Sequence, residues 1–146
     1  MPAEIEAVFL DTDVVLDHLA DRQPFSGIAH RLFGLAETGQ IKLHVSALSF
    51  CNLYYLLRKS RGHDAAVGLL PKLALLVEIS VVSDTQIRAA LASGLKDFED
   101  AVQYSSASAL PKVMALITRN QRDFRPKHLP VQSADEYLAS REVRKL

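Results

Sequence analysis

The sequence predicts an α/β fold, a mostly parallel sheet with helices on both faces. Strand-like apolar runs alternate with helix-like segments along the chain, the order that βαβ units produce. The first run, Ala7-Val8-Phe9-Leu10, is continuously apolar, as a strand buried on both faces of a parallel sheet must be. The chain has 146 residues, enough for one domain with a sizeable core and too few for two, so residues 1–146 read as one unit.

The elements follow in order. Ala7–Leu10 is the first strand, and Asp13 is the expected cap of a short helix through Val14–Leu19. Pro24 marks a break. Ser26–Glu37 is amphipathic, with Ile28, Leu32, Leu35 and Ala36 on one side, and Gly39 ends it. Ile41–Val45 is a second strand. Ser46 opens a helix to about Lys59 that is nearly all apolar from Leu48 to Leu57. Arg61-Gly62-His63 is a turn, after which Asp64 can cap a helix carrying Leu69, Leu70, Leu73, Leu76 and Val77; Pro71 should kink or interrupt it. Glu78–Val82 is the third strand. Ser83 or Asp84 begins a helix to about Ser93, closed by Gly94, and Asp97 begins the next, to about Leu110. Val113–Ile117 is the fourth strand and Leu129–Gln132 a short last one. Ser133-Ala134-Asp135-Glu136 is a capping box for a final helix whose tail, Arg141–Leu146, is expected to fray.

Hydrophobic residues are 49% of the chain, so it is globular. Lys+Arg and Asp+Glu are both 17, which argues against coating nucleic acid through bulk charge but leaves room for a local basic rim. Cys51 is the lone cysteine, excluding an intramolecular disulfide, and its apolar surroundings suggest a buried, inert thiol. No Cys/His cluster has zinc spacing, and the five histidines are scattered. There is no signal-peptide pattern and no apolar run of membrane-spanning length. A soluble, reducing compartment, the cytoplasm, is the expected location.

The chemistry concentrates in acids. Asp11 directly follows the first apolar strand, where an unpaired charge is expensive and where ligands of open α/β sheets bind. Asp97 and Asp100 open a later helix, and Asp123 follows the fourth strand. Two carboxylates at about 4 Å repel by roughly 1 kcal/mol in water and by about 4 at an effective dielectric of about 20. Converging acids therefore call for a cation or for protons, and oxygen ligands without His or Cys favour Mg²⁺ or Mn²⁺. Each acid also has a plainer reading. Asp13 fits a cap, Asp97 and Asp100 fit a cap and a first-turn acid at i and i+3, and Asp123 fits a surface loop. Glu99, between two candidates, should point elsewhere into solvent. Asn52 sits in an apolar helix, so its amide needs a polar destination, either the acids or a backbone group. Thr118 and Asn120 place short polar groups at a strand end, and Arg119, Arg122 and Arg125 could form a phosphate-binding rim there.

These pieces resemble the PIN-domain family, nucleases that include many toxins of bacterial toxin–antitoxin pairs. The matching segments, in order, are Phe9-Leu10-Asp11-Thr12-Asp13, Val45-Ser46-Ala47-Leu48-Ser49, Asp97-Phe98-Glu99-Asp100-Ala101 and Ile117-Thr118-Arg119-Asn120-Gln121-Arg122-Asp123-Phe124. The resemblance implies a three-layer α/β/α sandwich and Mg²⁺- or Mn²⁺-dependent cleavage of RNA. It implies metal binding by Asp11, by Asp100 (matched because Ala follows it), by Asp123 and with help from Asp97. It assigns Asn120 and Thr118 to the same site, beside which Arg119 and Arg122 are read from their place in the chain as contacts to substrate phosphate. Two positions depart from the family pattern: Asn52 stands where many members carry an acid, and Asp13 where many carry Asn. The resemblance further implies a small antitoxin partner and a homodimer, built on the apolar helices around Leu48–Leu57 and Ala65–Val77. Two competing readings remain. One is a PIN scaffold that has lost activity and serves as an RNA-binding or interaction module, which Asn52 supports. The other is a haloacid-dehalogenase-like phosphatase, which shares Asp-x-Asp after its first strand, although Val14 and Val15 replace the usual Gly-Thr.

Overall fold

The computed structural model describes residues 4–125 and 128–146. β1 (Glu6–Leu10) is followed by α1 (Thr12–Leu19), α2 (Ser26–Glu37), β2 (Ile41–Ser46), α3 (Ala47–Arg61) and α4 (His63–Leu76). Then come β3 (Val77–Ser80), α5 (Asp84–Ala92), α6 (Phe98–Ser108), β4 (Val113–Ile117), a 3-10 turn at Gln121–Asp123, β5 (Val131–Gln132) and α7 (Ala134–Arg144). The strands form one sheet in the order β3-β2-β1-β4-β5, every pair parallel. β1 lies at the centre, so its carboxyl end opens onto the middle of the sheet edge.

Alternate residues of β1 serve opposite faces. Val8 and Leu10 pack with Leu43, Val45, Ile117 and residues of α1 to α4 and α7, including Leu32, Phe33, Leu53 and Tyr137. Ala7 and Phe9 pack on the other face with Leu116 and with Ala107 of α6. This explains why the strand is continuously apolar: both faces are covered. Burying each large side chain contributes about 1.5–3 kcal/mol, so the central strand is well anchored. The three-layer α/β/α expectation holds.

Several local expectations are corrected. Asp11, not Asp13, caps α1: it alone separates the strand from the helix, and its side chain accepts from the Thr12 N–H at 2.9 Å. Asp64 is no cap either. Gly62, at φ 90°, occupies that place, and Asp64 lies in the first turn. Pro71 does not break α4, because it lies on the exposed side, where a carbonyl that loses its donor can be hydrated. β3 begins directly at Val77, and Val81 is outside it and exposed. The C-terminal tail is helical to Arg144, with Arg141 buried and Arg144 paired to Glu6 at 2.6 Å. Cys51 is exposed. Ser49, Leu53 and Leu57 form the buried stripe of α3, and position 51 lies on the opposite side. His18 and His30, distant in sequence, meet at 2.6 Å between their Nδ1 atoms, and His18 stacks on Phe33. Among the described residues, no helix is long and apolar enough to cross a membrane.

Candidate active site

Asp11 is held by buried polar groups drawn from the elements around the end of β1. One carboxylate oxygen, Oδ1, accepts from the Thr12 N–H and from Nε2 of Gln103 at 3.2 Å. The other, Oδ2, accepts from the Thr118 hydroxyl at 2.8 Å. Gln103, on α6, also donates to Ser49 Oγ at 2.7 Å and accepts from Ser46 Oγ at 2.6 Å. Ser49 Oγ in turn lies 2.8 Å from Thr12 Oγ1, and the Ser46 side chain caps α3. Ser46, Ser49, Gln103 and Thr118 are all buried. Such a network fixes the position of a carboxylate in a setting where each unmade bond would be costly. Sequence reasoning missed Gln103 and Ser49. A glutamine and a serine within a helix carry no signal of their own, and it is the packing of α3 and α6 against the end of β1 that gives them partners.

In front of Asp11 lies a cavity of about 520 Å³, lined by Asp13, Asn52, Asp97, Glu99, Asp100, Asn120 and Asp123 among others. Each acid arrives by a local rule. Asp97 caps α6, accepting from the Asp100 N–H at 3.0 Å, which places Asp100 in the first turn. Asp13 lies in the first turn of α1, where its Oδ2 accepts from the Arg119 N–H at 3.1 Å. Asp123 closes the 3-10 turn after β4. Burial, then the charges of Asp11, Asp97, Asp123 and Asp13, push the Asp100 carboxyl up to about 7. Burial and the Asp11 charge push Asp13 up to about 6. The acids from these separate segments therefore feel one another, as expected if they share one pocket.

Asn52 finds an acidic partner, one of its two expected destinations, and that partner, Glu99, corrects the sequence reading. Asn52 is only half-buried, and its Nδ2 donates to Glu99 Oε2 at 3.3 Å. Glu99 therefore faces the cavity instead of pointing away from it. Thr118 is fully buried, its hydroxyl directed to Asp11 and receiving the Asn120 N–H at 3.1 Å, so its contact is with the acid.

The basic residues divide in two. Arg119 does not present its charge to the cavity. Its guanidinium holds buried Asp17 through Nε at 2.8 Å and lies over the Phe25 ring at 3.8 Å. Arg22 completes that ion-paired cluster at 2.9 Å. Arg122 and Arg125, together with Lys96, line a second cavity of about 330 Å³ that shares Asp97 and Asp123 with the first. A basic patch thus adjoins the acidic one.

The donor set suits a hard divalent cation. It offers oxygens without thiolate or imidazole, and the buried Asp13 Oδ1 makes no hydrogen bond. Among the described residues, no three acidic, His or Cys side chains form a ready-made ligand group. A cation here would keep part of its water shell, as Mg²⁺ commonly does.

A sequence model described as PIN domain matches residues 7–122. Solved structures share the fold. A toxin–antitoxin complex from Klebsiella pneumoniae superposes with TM-score 0.64 at 18% identity, over 87% of this chain and 97% of that one. VapBC2 from Rickettsia felis, bound to a DNA fragment from its promoter, gives 0.66 at 19%, over 87% and 98%. The sarcin–ricin-loop-cleaving toxin VapC20 from Mycobacterium tuberculosis gives 0.61 at 18%, over 75% and 86%. No curated protein matches the sequence. The order of the acidic motifs, the parallel sheet that gathers them and the match over most of the length agree, and the chain belongs to the PIN-domain family.

Proposed function

We propose that this protein is a Mg²⁺- or Mn²⁺-dependent ribonuclease that hydrolyses RNA phosphodiester bonds as the toxin half of a toxin–antitoxin pair. The observation that carries this reading is the convergence of Asp11, Asp13, Asp97, Asp100 and Asp123 on one cavity, with Asp100 raised by burial and then by the other four. When bound, a divalent cation offsets that repulsion, activates water and stabilises charge developing on the phosphoryl oxygens. Asp11, Asp100 and Asp123, with Asp97 and Asp13, are the residues that would hold it. Asn120 and Asn52 line the same cavity as neutral partners. Thr118 keeps Asp11 oriented, while Lys96, Arg122 and Arg125 hold phosphates flanking the reacting one. Family membership favours this reading over the phosphatase one.

The partner is a small antitoxin protein, and the chain pairs with a second copy in the cytoplasm. Tyr55, Leu56, Val67 and Leu75, exposed on α3 and α4, supply apolar surface for such contacts. Asn52 supports a second reading, a PIN scaffold that binds RNA without cutting it.

Cleavage of defined RNAs by wild type and Asp11→Asn, with Mn²⁺ or with excess chelator, separates these. Cleavage by wild type with Mn²⁺ alone, lost in a folded Asp11→Asn, is the expected result. Full activity of the variant, or in chelator, overturns the metal mechanism. RNA binding with neither cleavage nor Mn²⁺ binding at millimolar concentration establishes the scaffold. Light scattering on the same samples should give twice the chain mass, and a strict monomer at micromolar concentration removes the dimer.

A further inference from the structure

α3 sends Asn52 into the acidic cavity beside Tyr55 and Leu56, and the Asn52 amide makes one hydrogen bond there, to Glu99. An amide offers either its NH₂ or its carbonyl in a given direction. A carbonyl facing the Glu99 carboxylate at 3.3 Å would set oxygen against oxygen, so the NH₂ takes that side. With Nδ2 committed, Oδ1 is the amide's open end, and it accepts no hydrogen bond among the described residues. Glu99 is itself placed by α6, in the first turn between Asp97 and Asp100, where the helix dipole favours an acid.

We infer that Glu99 is a positioning residue: it holds Asn52 so that the amide carbonyl, not its NH₂, meets the divalent cation, and it adds negative charge directly behind that oxygen. The inference rests on the cation-dependent reading above. The pair divides between two elements what one carboxylate on α3 would do alone, with a neutral oxygen in front and the charge behind it. Carboxylates that orient a neutral ligand in this way typically govern metal affinity without touching the metal.

The test is Mn²⁺ titration by calorimetry and by electron paramagnetic resonance of free Mn²⁺, on wild type, Glu99→Ala, Asn52→Asp and Glu99→Ala/Asn52→Asp, each checked by thermal melting. Glu99→Ala should weaken Mn²⁺ binding by roughly 10- to 100-fold with an unchanged melting temperature, because the side chain is exposed. Adding Asn52→Asp to that variant should restore the affinity, since the charge then stands on the ligand itself. Unchanged affinity in Glu99→Ala overturns the inference. So does a loss that Asn52→Asp leaves unrepaired, which would make Glu99 act independently of Asn52. Wild type that binds no Mn²⁺ overturns the metal reading and this inference with it; wild type that binds while Glu99→Ala matches it overturns this inference alone.

Discussion

Replacing Gln103 with Leu should destabilise the protein through its candidate active site. The side chain is buried at 2% exposure and makes three hydrogen bonds, to Asp11 at 3.2 Å, Ser49 at 2.7 Å and Ser46 at 2.6 Å. Leu fills a similar volume, so no large cavity opens and the loss is one of hydrogen bonding. The bond to the Asp11 carboxylate is worth about 1.5–3 kcal/mol and each hydroxyl bond about 1. Ser46 and Ser49 keep each other at 3.3 Å, and Ser49 keeps Thr12, so neither hydroxyl is orphaned. The total is about 4 kcal/mol, or roughly 8–16 °C in melting temperature for a domain of this size. Thermal and urea unfolding, with the urea slope unchanged, measure it. A shift below about 2 °C would mean that the network is not holding Asp11.

Two further outcomes follow from the charges. Asp13 and Asp100 have carboxyls raised from 3.8 to about 6 and about 7, so between pH 4 and 7 the folded protein binds more protons than the unfolded chain. Without divalent cation, stability should therefore fall as pH rises through that window, by at most about 3 kcal/mol from Asp13 and by less than its shift suggests from the more exposed Asp100. Melting at pH 5 and 7.5 in chelator checks the sign, Asp100→Asn should flatten the slope, and a protein more stable at pH 7.5 refutes it. Arg119→Ala should cost stability, about 2 kcal/mol, because buried Asp17 keeps only Arg22, and should leave RNA affinity unchanged. Ala at Lys96, Arg122 and Arg125 should instead weaken RNA binding and reduce its salt dependence, as filter binding across a salt series would show; the reverse pattern would reinstate Arg119 as the phosphate ligand.

The sheet was legible because its signal is local. A continuous apolar run such as Val8-Phe9-Leu10 announces burial on both faces, and Asp97 and Ser133 announce helix starts, all within a few residues. Most of the acids were legible for the same reason, Asp11 at the end of a strand and Asp13, Asp97 and Asp100 at the start of a helix, while Asp123 lies in the turn after β4. What failed depends on orientation across elements. Arg119 read as a rim cation, yet Asp17, 102 residues earlier, takes its guanidinium. Glu99 read as a solvated residue because one helical step turns it about 100° from Asp100, and nothing in the sequence says that α3 will present an amide to it. Gln103 was invisible because a glutamine in a helix is commonplace until its partners are known.

The residues missed in sequence bear directly on how Asp11 works. A carboxylate at a strand end explains only where negative charge is placed. Its usefulness to a cation depends on a fixed direction, and that direction is set by Gln103 and Thr118, which each take one of its oxygens. Both are donors and so fix its orientation, while burial and then the neighbouring acids raise Asp100 toward neutral pH. The site therefore contains three acids fixed by donors, Asp11, Asp13 and Asp97, beside Asp100 and Asp123, whose carboxylates accept no hydrogen bond among the described residues. Asp11, Asp13 and Asp97 would hold a divalent cation from fixed positions and Asp100 and Asp123 would complete its protein oxygens, which fits a site whose acids converge without forming a closed ligand group.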